Sequence, residues 1–237
     1  MRGSVHAAIG ASAPIALVLT RHVDPFQGIV MAAVSAGFAL LPDLDHPDAC
    51  ASKALGKPVH RVVHSLCKAA VQATATGKDR QSIAWKEVRK RDPYHRTLTH
   101  TVAASLAVAS AAFLAASAGA VPAAMVAALG VFMLWPLRRG AVGPVVMAAL
   151  VAAVGAAVLL DPWLLALAVG GGYLSHVVAD GCTAAGVPAF WPVPIQKKRW
   201  WSIRLLGGLV SSGSAGEKGP AIGVALASNG LLLLLQI

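Results

Sequence analysis

Long stretches of this chain carry no charged side chain, and this limits the possible folds more than any other feature. Residues 97–137 contain no Lys, Arg, Asp or Glu, and residues 141–180 contain only Asp161 and Asp180. Only 13% of the 237 residues are charged and 57% are hydrophobic, whereas about 25% of a soluble domain is charged. Because so few charges cannot cover a water-exposed surface, the sequence predicts an integral membrane protein.

Apolar runs of this length are typical of transmembrane helices. They predict an all-α fold, a polytopic membrane helical bundle with about seven spans, at 4–20, 26–42, 97–118, 121–137, 141–160, 162–180 and 220–237. No separate soluble domain and no fixed repeat is visible. Residues 1–237 are therefore predicted to form a single membrane domain, with two polar segments, 43–96 and 181–219, on one side of the bilayer.

The distribution of basic residues predicts the orientation. The net charge is +10, and placing segment 43–96 in the cytoplasm puts all of the 20 Lys and Arg residues except Arg21 on that side. This agrees with the positive-inside rule. The basic excess predicts attraction to anionic lipid headgroups and no specific binding of nucleic acid. The cysteines, Cys50, Cys67 and Cys182, fall on the same side, where thiols stay reduced.

Segment 43–96 contains the pattern of an amphipathic helix on the inner membrane surface. Its apolar positions are Val59, Val62, Val63, Leu66 and Ala70, and an adjacent face carries Lys57, Arg61, His64 and Lys68. His60 and His64 are four residues apart and could bind a metal, but a solvated basic face is the favoured interpretation. Residues 190–201 mix tryptophans with consecutive cations, which predicts an anchor at headgroup level.

Titratable residues collect at one depth, at the cytoplasmic ends of the predicted spans. They are His6, Asp43, Asp45, His46, His95, His100, His176 and Asp180. The opposite side offers only Arg21, His22, Asp24 and Asp161, so His22 is expected to lie far from the set. Ionisable groups are costly to place in a bilayer and are candidates for function. The shared depth predicts one metal centre.

The spacing and chemistry of these residues suit metal ligation. His176 and Asp180 are four apart and would project from one helix face. Asp43 and Asp45 are expected in an extended turn between two prolines, with both carboxylates pointing the same way. His95 would precede the third span and His100 would lie in its first turn. A nitrogen and oxygen set without thiolate suits Zn²⁺, Mn²⁺ or Fe. Eight candidates exceed the four of a closed zinc site, which favours a catalytic centre, with one or two ions.

Four short motifs occur in a familiar order. They are H-A-A-I-G at 6–10, L-P-D-L-D-H at 41–46, H-R-T-L-T-H-T at 95–101 and S-H-V-V-A-D-G-C-T-A-A-G at 175–186. Together they resemble the LexA-regulated, membrane-bound, metal-dependent hydrolases of the YdjM-like family, over roughly residues 1–200. In the third motif, Thr97 stands where that family usually has glycine and Thr101 where it usually has serine.

This resemblance implies a multi-pass protein of the bacterial inner membrane, in which the eight collected residues bind the metal. The family is also distantly similar to zinc-dependent phospholipase C and P1-type nucleases, which implies zinc as the ion and a phosphoester as the substrate. Asp43 or Asp45 could bridge two ions or act as general base, and Arg96 could hold a phosphate oxygen.

The predicted function is therefore a membrane-bound metal-dependent hydrolase that cleaves a lipid or lipid-linked phosphoester at the inner leaflet. Two other functions stay open. A metal-ion transporter is disfavoured because the outer halves of the spans are almost wholly apolar. A scaffold whose metal only joins helices leaves the surplus ligands unexplained.

Overall fold

The structure is a computed structural model that describes residues 2–19, 22–81, 92, 94–137 and 160–208. Within these ranges the regular structure is helical. The β-type pairing there consists of two isolated bridges, Val187 with Ile203 and Ile195 with Lys198. The all-α prediction is confirmed. The predicted spans 141–160 (except Leu160) and 220–237 lie outside the described residues, as do several of the basic residues counted above.

Among the described residues, five apolar helices form the bundle and three shorter or polar ones lie in segment 43–96. In chain order they are α1 (Gly3–Leu19), α2 (Pro25–Phe38), α3 (Cys50–Leu55), α4 (Lys57–Thr74), α5 (Gly77–Gln81), α6 (Val102–Ser117), α7 (Ala120–Met133) and α8 (Pro162–Gly181). Short 3₁₀ helices at Leu41–Asp45, Leu98–His100, Trp135–Leu137 and Leu205–Gly208 connect or extend them.

Three helical segments of the described chain are long and apolar enough to cross a membrane. They are Pro25–Asp45, Ala120–Leu137 and Pro162–Gly181. Helices α1 and α6 are apolar but shorter, with 17 and 16 residues. At a rise of 1.5 Å per residue they extend about 25 Å, less than a hydrocarbon core of about 30 Å. Three spans are thus found by length and composition, and the predicted number of seven is not reached within the described residues.

Helix α2 packs against α1, α7 and α8, and small residues make this possible. A Cβ atom at Gly37 of α2 would overlap the backbone of Gly130 in α7, and one at Gly172 of α8 would overlap the backbone of Ser35. The Ser35 hydroxyl donates a 2.6 Å hydrogen bond to the carbonyl of Gly10 in α1. Small residues drive close helix packing in membranes because apolar side chains gain little from leaving lipid for a protein interior.

The helix directions bring several chain segments to one end of the bundle. Helices α1 and α6 begin at this end, and α2 and α8 finish there. The 3₁₀ helices Leu41–Asp45 and Leu98–His100 pack against each other at this end, with α4 across both. We call this the site end of the bundle.

The conformation at Asp43 and Asp45 corrects the predicted extended turn. Residues Leu41–Asp45 are a 3₁₀ helix with Pro42 in its first turn, where the fixed φ of proline is compatible with helix. At three residues per turn, side chains two apart point in different directions. Even so, one oxygen of each carboxylate lies within 4.8 Å of the other, so the two groups remain close together. The second difference is smaller, since His100 belongs to the 3₁₀ helix before α6 instead of the first turn of α6.

The contact between Gly37 and Gly130 gives a stability prediction. Gly37→Ala should lower the unfolding temperature in detergent and cost about 1–3 kcal/mol, because the added methyl group meets backbone that cannot rotate away. Gly171→Ala is the matched control on α8, since a Cβ there meets nothing within 4 Å and alanine favours helix. Size-exclusion chromatography after heating measures the thermal stability of both variants. Equal stability would contradict the close approach of α2 and α7.

Candidate metal centre

Four side chains from three parts of the chain bring one ligand atom each to a common point. They are Asp43 after α2, His100 before α6, and His176 and Asp180 in the last turns of α8, and their ligand atoms all lie within 4.8 Å of one another. The two Nε2 atoms of His100 and His176 are 3.2 Å apart. Asp43 Oδ1 lies 3.5 Å from the first and 3.4 Å from the second. Asp180 Oδ2 lies 3.5 Å and 3.6 Å from the same two nitrogens.

These separations are those of ligands around one tetrahedral ion. Zinc binds imidazole nitrogen and carboxylate oxygen at 2.0–2.2 Å, so the edges of a zinc tetrahedron are about 3.3–3.6 Å long. The five separations given above span 3.2–3.6 Å. Five of the six separations therefore match a divalent ion, and the sixth, between Asp43 and Asp180, is within 4.8 Å.

The hydrogen bond of His176 shows which of its nitrogens is available to a metal. Its Nδ1 lies 2.7 Å from the carbonyl oxygen of Ala39. A carbonyl only accepts, so Nδ1 carries the proton and donates it. In the neutral ring the lone pair is then on Nε2, the atom that points at the other ligands.

His100 is oriented in the same way through a threonine. The Thr99 hydroxyl donates to Asp45 Oδ2 at 3.0 Å, so its oxygen can accept from His100 Nδ1, also 3.0 Å away. This leaves the lone pair of His100 on Nε2. Histidine ligands of metals are commonly held by such an outer hydrogen bond, which fixes both the tautomer and the ring orientation.

The consequence is that four electron-pair donors face one another in a buried place. His100, His176 and Asp180 are fully buried, and the Asp43 side chain is 20% exposed. Two lone pairs and two carboxylates at these distances repel one another unless a metal ion, or a proton on one of the imidazoles, lies between them. The donor set, without thiolate, suits Zn²⁺ and other first-row divalent ions.

Asp45 belongs to a second group with Asp43 and His95, whose ligand atoms are also within 4.8 Å of one another. Its carboxylate accepts from His95 Nδ1 at 2.8 Å, from the Arg96 backbone N–H at 3.1 Å and from Thr99. Burial alone would lower the pKa of His95, but the adjacent Asp45 carboxylate outweighs it and raises that pKa above its ordinary value.

His6 lies behind the four ligands. Its ring stacks on that of His176, with centroids 3.7 Å apart, and its Nε2 is 3.4 Å from Asp180 Oδ1. The ring is fully buried, and neither of its nitrogens has a hydrogen-bond partner within the described residues. A buried polar group in this state is costly, which is a further indication of a ligand at the site.

Arg96 connects the loop before α6 to the end of α8. Its backbone is left-handed, with φ of 57°. Its Nε pairs with Asp180 Oδ2 at 2.9 Å, and a terminal nitrogen donates to the Thr183 hydroxyl at 2.8 Å. The guanidinium therefore positions a ligand carboxylate. The bidentate phosphate contact predicted from the sequence would require this pairing to change.

A cavity of about 300 Å³ opens beside the four ligands on the Asp43 side. It is lined by Asp43, His46, His95 and Arg96, together with Gly3, Leu40, Asp48, Ala49 and Cys50. His46 accepts from the Asp48 backbone N–H and contacts His95 edge to face, with ring centroids 5.0 Å apart. A small molecule that enters this cavity would meet the exposed side of the ligand set.

Among the predicted residues, the structure thus gathers Asp43, His100, His176 and Asp180 as one group, and places Asp45, His95, His6 and His46 around it. His22 follows α1 at the end opposite His6. Sequence reasoning missed Thr99, Thr183 and the carbonyl of Ala39. Thr99 lies inside the quoted third motif, next to His100, and this adjacency was the one available signal.

The convergence of ligands predicts that the purified protein binds a divalent ion. Elemental analysis should find one ion per chain in the native protein, and His176→Ala or Asp180→Ala should remove it. His60→Ala is the control, because His60 hydrogen-bonds the Leu44 carbonyl and belongs to neither group. A second ion per chain would mean that the group of Asp43, Asp45 and His95 also binds metal. Full occupancy in His176→Ala would contradict the four-ligand site.

The threonine that orients His100 can be tested separately. Thr99→Val removes the acceptor for His100 Nδ1 and should weaken metal affinity about 10–100-fold, the usual cost of losing an outer hydrogen bond at a metal site. Thr99→Ser keeps the hydroxyl and should restore affinity close to that of the native chain. Competition with a chromogenic chelator measures both, and equal affinities for the valine and serine variants would contradict this role.

Comparison with known proteins agrees with the four motifs. The family model described as YdjM inner membrane protein matches residues 1–235. No curated protein and no solved structure matches the chain, so the wider similarity to phospholipase C and P1-type nucleases stays a prediction. Because the match covers nearly the whole sequence, the chain belongs to the YdjM family of inner membrane proteins.

Proposed function

We propose that this protein is a metal-dependent hydrolase of the inner membrane that cleaves a phosphoester in a lipid or lipid-linked substrate. The observation that carries the proposal is the convergence of two imidazole lone pairs and two carboxylates beside an open cavity. A metal that only joined helices would need no such opening. A catalytic metal site keeps one side accessible to water or substrate.

When bound, the ion would supply Lewis acidity, and it would lower the pKa of a water held in addition to the four protein ligands, on the cavity side. The side chains of the protein would orient the substrate and carry protons. Asp43 offers the partly exposed ligand, so substrate would approach from its side. His95 lines the same cavity and is hydrogen-bonded to Asp45, which holds the ring in place. His95 is thus the group best placed to hold or deliver a proton at a leaving oxygen.

Charge favours an anionic substrate. Arg96 borders the cavity and, with the ion, provides positive charge close to the carboxylates. The cavity of about 300 Å³ is at the small end of ligand sites, and it suits a phosphate headgroup better than a whole lipid. The acyl or prenyl chains would remain in the bilayer, and only the phosphoester would enter.

The orientation with the site in the cytoplasm is part of this proposal. The site end carries the basic residues of α4 and α5 and those of 197–204, whereas the described connection between α1 and α2 contributes His22 and Asp24. Basic residues concentrate on the cytoplasmic side of bacterial membrane proteins. Substrate would therefore come from the inner leaflet.

Activity can be tested in detergent and in vesicles, with phosphatidic acid, phosphatidylglycerol, a lipid-linked pyrophosphate and a chromogenic phosphodiester. His95→Gln should keep its metal and lose about 10²–10⁴-fold in kcat, which is the usual contribution of a general acid or base. Asp43→Asn should lose both metal and turnover. His60→Gln, outside the cavity lining, should resemble the native chain.

The alternatives make different predictions in the same experiments. In a metal-ion transporter, vesicles would show metal flux that Asp43→Asn blocks, and no phosphoester would be cleaved. In a metal-held scaffold, Asp43→Asn would lower the unfolding temperature and every substrate would remain intact. Bound metal without hydrolysis of any member of the panel would contradict the hydrolase.

A further inference from the structure

Helix α4 runs across the site end of the bundle. Near its start, His60 Nδ1 donates to the Leu44 carbonyl at 3.0 Å, next to the end of α2. About two turns further along α4, Cys67 lies against Thr99, just before α6 begins. At its end, Thr74 receives a 3.0 Å hydrogen bond from Trp200 Nε1. Helix α4 therefore crosses from the segment that follows α2 to the segment that precedes α6.

The side chains of α4 form three faces. One is packed on the site, with Cys67 and Val71 buried. The second is apolar but exposed, with 40% of Val59, 61% of Val62 and 56% of Leu66 accessible. The third is basic and carries the exposed Lys57, Arg61 and Lys68. Residues 57–74 contain no Asp or Glu.

We infer that the exposed apolar face of α4, Val59, Val62 and Leu66, inserts between the headgroups of an anionic bilayer. An amphipathic helix with apolar side chains on one face and cations on another has the chemistry of an interfacial membrane helix. The cations of the basic face would pair with the phosphates of an anionic surface. The depth fits as well, since α4 lies where the apolar helices of the bundle end.

The segment that fixes the end of α4 has the same interfacial character. Trp191 and Trp200 stack with ring centroids 5.2 Å apart, and both indole nitrogens are directed at Thr74. Phe190 and Val193 are exposed beside them. Tryptophan is enriched at headgroup level because its ring is apolar and its N–H is polar. Two independent parts of the chain thus indicate the same depth.

This placement does not depend on the proposed hydrolase, but it would determine what reaches the cavity. Helix α3, which lines the cavity through Cys50 and the residues before it, is connected to α4 through Gly56 alone. A helix α4 held at the depth of the lipid phosphates would hold the cavity mouth at that depth too. A headgroup could then enter sideways, without leaving the membrane.

Spin labels can measure the depth of each face. In a Cys50→Ala background the remaining cysteines, Cys67 and Cys182, are buried, and failure of that protein to take up label verifies this. Labels at Val62→Cys and Leu66→Cys report the apolar face, and Arg61→Cys and Lys68→Cys are the matched controls on the basic face. Bound metal in each variant shows that the chain is folded.

In vesicles of phosphatidylethanolamine and phosphatidylglycerol, the labels at 62 and 66 should collide several-fold more with oxygen than with a water-soluble nickel chelate. The labels at 61 and 68 should show the reverse. In vesicles of phosphatidylcholine alone, the labels at 62 and 66 should collide less with oxygen and more with the nickel chelate. Equal access of all four labels to the nickel chelate would overturn the inference. The same depth of the labels at 62 and 66 in both kinds of vesicle would overturn it as well. Spin–spin coupling with protection from both reagents would indicate a protein partner and overturn it as well.

Discussion

The structure depends on a cluster of four lone-pair donors that repel one another unless a metal ion or a shared proton joins them. His100 and His176 each use Nδ1 as a donor to an oxygen, so both present Nε2, at 3.2 Å, to each other and to two carboxylates. In a buried place such a set is strongly repulsive, because the low dielectric hardly screens it. The ion would convert this repulsion into attraction, and it would hold together the end of α2, the start of α6 and the end of α8.

The apolar part of the bundle provides the position of that cluster. Helices α2 and α8 approach so closely, at Ser35 and Gly172, that no side chain fits between them. Their ends are thereby fixed relative to each other, and the carbonyl of Ala39, one residue past α2, meets His176 of α8. A metal site needs ligands placed within a fraction of an ångström. Here the helix packing places the ligands, and the ligands in turn tie together chain segments up to 137 residues apart.

Much of this could be predicted from the sequence, and the failures have a physical pattern. Charge-free runs predicted the helices, and shared depth predicted which residues gather, because both follow from the cost of charge in lipid. The directions of side chains did not follow. Prolines at 42 and 47 are compatible with both an extended and a 3₁₀ backbone, so the conformation at Asp43 and Asp45 could not be chosen from the sequence. The pairing of Arg96 with Asp180 depends on a left-handed residue that only the folded loop stabilises.

The charges around the site indicate that the metal would have to bind before an anionic substrate. Asp45 is paired with His95, whose pKa it raises, so this outer pair is close to neutral when His95 is protonated. Within the inner set, Asp43 and Asp180 outnumber Arg96, and a phosphoester would be repelled. A divalent ion reverses the balance and leaves one positive charge in excess, which equals the charge that a phosphodiester brings. Substrate binding would then require the metal. The cation that offsets the mutual repulsion of the four donors would also allow the anionic substrate to bind.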